Sequence, residues 1–591
     1  WLKPFWLKAH WLDRLSRGTS LGECSTPMAA MSSPAAVAAA APRAGTAAVE
    51  VPEDPAASAE ASSSEFSKGS SDVGKQQGNM RVIFLCIFIA NTGFFHGYDN
   101  GVVSDVFTMP SFRGMMGWPE VDDAAAAFEK GVTVNGFNIG AAISAVLAGH
   151  FIVDKYGRRP ALILGSWLFA LGGLVQTASM TAWVLILGRL IAGIGVGITS
   201  SAGPAYIAEV APSNIRGAMV GIYQSNICLA IAGASLLNYL DHNMQMGWRI
   251  SLGVQVLLGV VTAIGLIFCS ETPRFLQSAG RPEEALKILT SLRGGDEQVA
   301  KQELAMVQAE LEEEKQTGSA TWGEVFTNPY FRNVVVLGCF VQFFQIITGI
   351  NAMVSFGGTL FERLGVTGLL SALAPALFFL LGNTIGGFFL VDRLGRRSLL
   401  IWGMAAMSLT MIVGGAVALS ADDPDHLSEA AGYTVIAMVV GYMFSFGISW
   451  GFGAWLYISE IMPLRVRGKA VGLCTGMNWG PANVISAFIT PVMIAGPMGP
   501  GGTLLFFGLV SAAVVPFAVL CLPETKGRSL EEITPMFRFA SCTDFRSFVR
   551  GNLRAGVGMG SDANAFPCRG QCQNVRNDES TVDLGEYSAE R

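Results

Sequence analysis

Apolar residues gather into long runs from Arg81 onward, broken by short polar loops rich in Gly, Lys and Arg. A run of about 20 residues crosses a ~30 Å hydrocarbon core at about 1.5 Å per residue. Such runs fall at about 82–104, 132–153, 161–180, 183–207, 218–240, 248–269, 333–357, 366–391, 399–420, 433–458, 470–495 and 502–522, which predicts twelve spanning helices. The widest gap, 270–328, divides them six and six. Inside it, EEALKILTSLRGG and KQELAMVQAELEEEK carry helical periodicity with charged faces, so short amphipathic helices on the membrane surface are expected. The fold class is therefore an all-α membrane protein of two six-helix halves. The expected organisation is an N-terminal tail over 1–80, halves over 81–269 and 331–522, a cytoplasmic helical linker over 270–330 and a cytoplasmic tail over 523–591.

Composition agrees with this pattern, since 51% of the 591 residues are hydrophobic and only 14% are charged. A net charge of −6 argues against a nucleic-acid partner. The ten cysteines show no metal-ligand spacing, and Cys86, Cys228, Cys269, Cys339 and Cys474 sit on the apolar runs as small buried side chains do. No metal, cofactor or disulfide framework is expected. No nucleophile and base pattern stands out either, so an enzyme is not expected. From Met28 to about Gly78 the chain is Ala, Ser and Pro with too little to bury, which reads as a disordered tail. An organelle transit peptide is the alternative. Residues 1–27, ahead of the first Met, are expected to be untranslated or part of a longer precursor and are kept out of the fold reasoning.

Lys and Arg in the short connections set the orientation. The loops after runs 2, 4, 8 and 10 hold Lys155, Arg158, Arg159, Arg216, Arg393, Arg396, Arg397, Arg465, Arg467 and Lys469, whereas the opposite side holds Arg113, Lys130 and Arg363. Both termini are thus expected on the cytoplasmic side. The chain is also duplicated: DKYGRRP at Asp154 recurs as DRLGRRS at Asp392, EVAPSNIRG at Glu209 as EIMPLRVRG at Glu460, and SETPR around Glu271 as PETKG around Glu524. Two six-helix repeats of this kind place substrate between the halves near the midplane and rock about it.

One carboxylate stands apart. Asp99, in FFHGYDNGVVS, lies near the end of the first run, where an ionised side chain is tolerated only if paired, hydrated or often protonated. The structural alternative is a residue that caps the run at the membrane interface. Arg189 in GRLIAGIG is the natural partner, also intramembrane.

DKYGRRP, together with SETPR, GINAM and LPETKGRSLEE, resembles the sugar porter family of the major facilitator superfamily, specifically plant, algal and fungal hexose transporters of the proton-coupled type. The resemblance covers essentially Arg81 to Ile533. It implies that Asp99 carries a proton and Arg189 modulates it, that Gln224, Gln345, Asn351 and Asn478 hold a sugar, and that Trp455 and Asn383 line the same site. Amides suit a polyol because each offers donors and acceptors, as a hydroxyl does. The resemblance further implies a charge latch at the cytoplasmic ends, with Asp154, Arg158, Arg159, Glu209 and Arg216 as one copy and Asp392, Arg396, Arg397, Glu460 and Arg467 as the other. Acids accompany the bases in both copies, which simple positive-inside anchoring does not require.

Three departures bear on the substrate. The paired glutamines of span 7 are Gln345 and Ile346 here, the span 8 asparagine, Asn383, lies about one turn later than the family's, and the usual span 10 proline is Phe452, leaving Gly447, Gly451 and Gly453 to supply a flexible gate. His96, one turn before Asp99, either tunes it or packs. Beyond Ile533, FRFASCTDFRSFVRGNLR is basic and aromatic, suiting either the anionic inner leaflet or disorder, and Cys568 and Cys572 are candidate lipidation sites. The expected function is proton-coupled symport of a monosaccharide, a hexose, by alternating access. A facilitative uniporter and a transporter-like sugar sensor are the alternatives. The chain is expected to act as a monomer in the plasma membrane, with an organelle membrane as the other location.

Overall fold

The computed structural model describes residues 80–554, apart from 120–122, 213–214, 319, 367, 422–426, 464, 529–532 and 538–541. The expected N-terminal tail before Met80, the cysteines at 568 and 572 and most of the acidic DDPDHLSE loop lie outside the described residues. Among the described residues every regular element is helical.

Ten helical segments are long and apolar enough to cross a membrane. They are spans 1 (Met80–Val106), 3 (Arg158–Thr177), 4 (Ala182–Val210), 5 (Arg216–Asp241), 6 (Gly247–Ile267), 7 (Pro329–Arg363), 8 (Leu369–Leu394), 9 (Arg396–Leu419), 10 (Glu429–Ile461) and 12 (Gly499–Cys521). Two more helical stretches, span 2 (Ala124–Ala148) and span 11 (Arg467–Met477 continuing through Asn483–Ala495), complete the twelve. These two are more polar, carrying Lys130, Asn135 and Asn138, and Lys469, Asn478 and Asn483. The polarity suits a helix that faces its opposite number across a seam: Asn135 Nδ2 donates to the Val484 carbonyl at 3.2 Å, and Phe128 stacks near Phe488 at 5.9 Å between ring centroids.

Small residues let the helices approach within each half, as expected where lipid supplies no hydrophobic drive between them. A Cβ on Gly193 of span 4 would lie 2.2 Å from the Phe137 carbonyl of span 2, and one on Gly172 of span 3 would lie 2.4 Å from the Ala192 nitrogen. Large side chains fill what remains, with Trp248, Trp450 and Tyr442 fully enclosed.

Spans 1 and 7, the first of each half, are both interrupted. Span 1 breaks at Asn91 and Thr92, between Met80–Ala90 and Gly93–Val106, and span 7 breaks at Thr348 and Gly349, between Pro329–Ile347 and Ile350–Arg363. Gly349 holds φ at +106°, and a Cβ there would press to 2.7 Å on the Phe507 ring. Only glycine fits both the dihedral and the space. The break frees carbonyls, and Thr348 O accepts from the Tyr442 hydroxyl at 3.2 Å.

Between the halves run Pro273–Ser278, Pro282–Leu292, Glu297–Thr317 and Trp322–Thr327. The first three pack a small core of their own from Leu276, Ala285, Leu289, Ala300 and Leu304. Arg293 pairs with Glu303 at 2.7 Å and donates to Val210 of span 4, while Lys469 of span 11 donates to the Ala320 carbonyl. The linker thus touches both halves.

Of the two open readings of the far tail, disorder does not describe residues 542–554. Cys542–Arg554 forms a helix docked on spans 9 and 12: buried Asn552 donates to the Leu520 carbonyl at 2.8 Å, its own carbonyl accepts from Arg397 at 2.8 Å, and Phe548 meets Phe537. One apolar stripe on an otherwise charged helix explains why it is ordered and why it lies against protein.

Candidate functional site

The first half encloses an ion pair. Asp99 of span 1 lies 3.0 Å from Arg189 of span 4, with side chains 0% and 1% exposed. This position is deep in the helix packing, so the interfacial-cap alternative does not describe it. Beneath the guanidinium lies the Phe137 ring, 5.5 Å away to its centroid, and Gln176 and Gln255, joined by a 3.1 Å hydrogen bond, flank the carboxylate. Among the described residues the carboxylate oxygens and the guanidinium N–H groups form no further hydrogen bond, so the pair is held by its mutual charge and its packing, an arrangement that is costly to bury. Sequence reasoning passed over both glutamines, although each is a solitary amide in an apolar run.

The second half encloses an amide cluster. Gln345 Nε2 donates to the carbonyls of Trp450 and Gly451 at 2.7 and 3.1 Å, and its Oε1 accepts from Asn478 Nδ2 at 2.9 Å. Asn478 Nδ2 also reaches Gln342 Oε1 at 2.7 Å, and Asn483 donates to the Asn478 carbonyl and accepts from Asn351. The backbone explains the cluster. Spans 10 and 11 each widen into a π-helical turn, Gly447–Gly451 and Asn478–Ala482, and such a turn releases carbonyls from the regular ladder. The glycines expected to loosen span 10 in place of proline thus sit in or beside that turn. Gln342 and Asn483, missed from sequence, stand three and five residues from Gln345 and Asn478.

The other expected sugar residues are placed differently. Asn383 of span 8 crosses to the first half, donating to Ser225 Oγ of span 5 at 3.1 Å, and its Oδ1 is buried without a hydrogen bond among the described residues. Gln224 is half-buried beside Ser225, and no hydrogen bond joins it to the amide cluster among the described residues. Trp455 is half-buried against the apolar core, whereas Trp450 is fully enclosed and donates to the Leu400 carbonyl at 2.9 Å. Trp479 connects the two centres. It follows Asn478 in the π turn and packs into the first half against Phe137 at 6.0 Å and His96 at 4.6 Å between ring centroids.

At the basic end the duplication becomes two matching charge networks. Arg158 pairs with Glu209 at 2.7 Å, and Arg396 with Glu460 at 2.9 Å and Asp392 at 3.0 Å. Thr272 and Thr525 donate to Glu209 and Glu460 at 2.5 and 2.6 Å. The centre of each network is an acid that sequence reasoning used only as a repeat marker. Glu271 accepts the backbone N–H groups of Arg158 and Arg159, and Glu524 those of Arg396 and Arg397. Each carboxylate therefore caps a helix N-terminus, where it meets free N–H groups and the positive end of the dipole. Gly157 and Gly395, at φ +102° and +88°, leave room for it. Burial pushes the Glu271 carboxyl above the usual carboxylate range, against the pull of the Thr272, Arg159 and Arg158 N–H groups and the Arg158 charge.

The remaining expected latch residues have other contacts. Arg159 donates to the carbonyls of Leu266 and Ile267, Arg397 to those of Val519 and Asn552, and Arg216 and Arg467 to Ala211 and Met462 in their own loops. Asp154 is exposed at the start of the short helix Asp154–Tyr156. Both Arg–Glu pairs stay inside one half. Replacing Glu524 by Ala strands the Arg396 and Arg397 N–H groups, so the melting temperature of the solubilised protein should fall with a loss of about 1–3 kcal/mol. An unchanged melting temperature would remove Glu524 from this role.

Residues 85–537 match the family described as Sugar (and other) transporter. A low-affinity glucose transporter of Kluyveromyces lactis is 30% identical over 507 residues, covering 82% of this chain and 88% of its own. The Saccharomyces cerevisiae low-affinity glucose transporter HXT1 is 31% identical over 477 residues, covering 77% and 81%, respectively. Among solved structures, the proton:xylose symporter XylE bound to 6-bromo-6-deoxy-D-glucose is 25% identical, with a TM-score of 0.64 over 78% of this chain and all of that one. Inward-open XylE from E. coli shares the fold at 24% identity and the same TM-score, over 77% of this chain and 99% of its own.

Proposed function

The chain belongs to the Sugar (and other) transporter family, and on that premise we propose that it carries a hexose inward together with one proton by alternating access. The observation that carries the reading is the enclosed Asp99–Arg189 pair, joined through Phe137 and Trp479 to the Asn478 turn of the opposite half. Relatives named as glucose transporters and the structural likeness to a proton:xylose symporter support the substrate class and the ion.

The chain's own residues suffice for the coupling. Asp99 and Arg189 are enclosed as a pair, so a movement of span 1 relative to span 4 that parts them changes what a proton on Asp99 costs. A proton thereby biases one arrangement of the halves, and sugar at the amides biases the same equilibrium from the other side of Trp479. Gln345, Asn351 and Asn478, with Gln342 and Asn483, offer the sugar hydroxyls both donors and acceptors. The sugar would enlist amides that now bond one another, so little buried polarity goes unmet in either state. Asn383 and Gln224 would complete the site from across the seam.

The basic end, with most of the loop Lys and Arg, faces the cytoplasm in this reading. A plasma-membrane location and action as a monomer fit inward uptake. Each charge network holds its own half together as the halves rock.

Labelled glucose uptake by the full chain, in yeast cells without their own hexose carriers, tests the proposal. Concentrative uptake that collapses with a protonophore is expected. Uptake that merely equilibrates would leave a uniporter, and no uptake of glucose, xylose or galactose despite surface expression would overturn the substrate class.

A further inference from the structure

At the end opposite the charge networks, the seam between the halves holds a cavity of about 530 Å³ that touches none of the central amides. Its size lies within the ~300–1,000 Å³ range of small-molecule sites. Spans 1, 5, 7, 8 and 10 wall it, and its polar lining includes Asp105, Ser235, Asn238, His242, Glu362 and Ser371. Ser235 lies about 16 Å of helix rise beyond Gln224 on the same span.

Several of these groups are poised for a ligand. Asn238 is fully buried and its Nδ2 donates to the Val102 carbonyl at 2.9 Å, leaving Oδ1 without a hydrogen bond among the described residues. A buried acceptor of this kind is costly unless a bound hydroxyl or water meets it. Burial and the neighbouring Arg113 charge hold the His242 imidazole below its usual range, so near neutral pH it offers one donor and one acceptor. Glu362 is paired with Arg113 at 2.7 Å. The floor is closed: Ser104 Oγ accepts from the Gly358 N–H at 3.0 Å, and a Cβ on Gly358 would stand 2.5 Å from Asp105 Oδ1.

The chemistry of the set narrows the occupant. A bare cation would meet donors as well as acceptors in a space far larger than itself, and an anion would face two carboxylates. Vicinal hydroxyls use all of the groups, because each hydroxyl both donates and accepts. We propose that this cavity is an outer vestibule site that holds the monosaccharide above the closed Ser104–Gly358 seam before the halves part toward the central amides.

The inference rests on the transport reading and orientation given above. Its test uses the full chain in the same yeast cells and compares half-saturating glucose for uptake with that for efflux. Two variants probe the cavity: Asp105→Asn, close to isosteric, and Ser371→Leu, which fills the wall without touching the floor. Each should raise half-saturation for uptake about tenfold, Asp105→Asn by losing a hydrogen bond to the sugar and Ser371→Leu by filling the space the sugar takes, while efflux stays within about twofold. Gln345→Ala should shift both directions, which marks the central site as separate. Uptake unchanged in both variants, or uptake and efflux raised alike, overturns the vestibule. Failure of the wild-type chain to carry any monosaccharide overturns the transport reading itself, a result the variants cannot mimic.

Discussion

Asp99→Asn should abolish uphill accumulation of sugar while sugar exchange across the membrane persists. One proton driven by about 100 mV and one pH unit supplies about 3.7 kcal/mol, enough for a roughly 500-fold gradient, and asparagine cannot carry it. Accumulation should therefore fall to about unity, a loss of more than two decades, as measured with a non-metabolised hexose analogue. The same change leaves Arg189 enclosed without its counter-charge, and stranding a buried ion costs about 3–5 kcal/mol. Melting of the solubilised protein should drop accordingly, with Phe137 and the Gln176–Gln255 pair unable to replace a carboxylate. Exchange activity separates the two effects, because a merely misfolded variant loses exchange too. A variant that still concentrates sugar normally would end the proton role of Asp99.

Gln345→Ala carries the second-largest expected effect. Gln345 ties three elements together, donating to the span 10 turn and accepting from Asn478 of span 11. Its loss should raise half-saturating sugar about ten- to a hundredfold, the range for one or two hydrogen bonds lost in a desolvated site. It also strands the Trp450 and Gly451 carbonyls, so stability should fall by about 1–3 kcal/mol. Asn483→Ala separates the tie to span 10 from the rest of the cluster, since Asn483 bonds Asn478 and Asn351 without reaching span 10. A weaker fold with unchanged affinity would make Gln345 a structural tie alone.

Much of this architecture was legible because a bilayer imposes length and apolarity on each span and internal satisfaction on each backbone group. Spans 2 and 11 were legible despite Lys130 and Lys469 because their apolar runs are long enough once the polar ends are discounted. The Asp99–Arg189 pairing was also legible, since two lone opposite charges in hydrocarbon have few other solutions. The glutamines beside them were not, because a solitary amide in a span is equally suited to helix contact. The partners of Arg159 and Arg397 were hidden for another reason. Those arginines bond carbonyls at the ends of spans 6 and 12 and in the terminal helix, and backbone acceptors leave no residue-type signature.

By itself, the sequence determined the helical class, the runs that span, the internal duplication and the chemistry carried by Asp99, Arg189 and the amides, because these follow from residue type and spacing along one helix. Tertiary structure alone decided that Glu271 and Glu524 cap helix starts over a hundred residues away, that Gln345 finds the carbonyls of a π turn in span 10, and that Trp479 inserts into the opposite half. It also set Asn238 and Asp105 around a cavity at the far seam. Each depends on where two helices cross. Crossing is set by the packing of small residues against neighbouring backbones, which no single helix encodes.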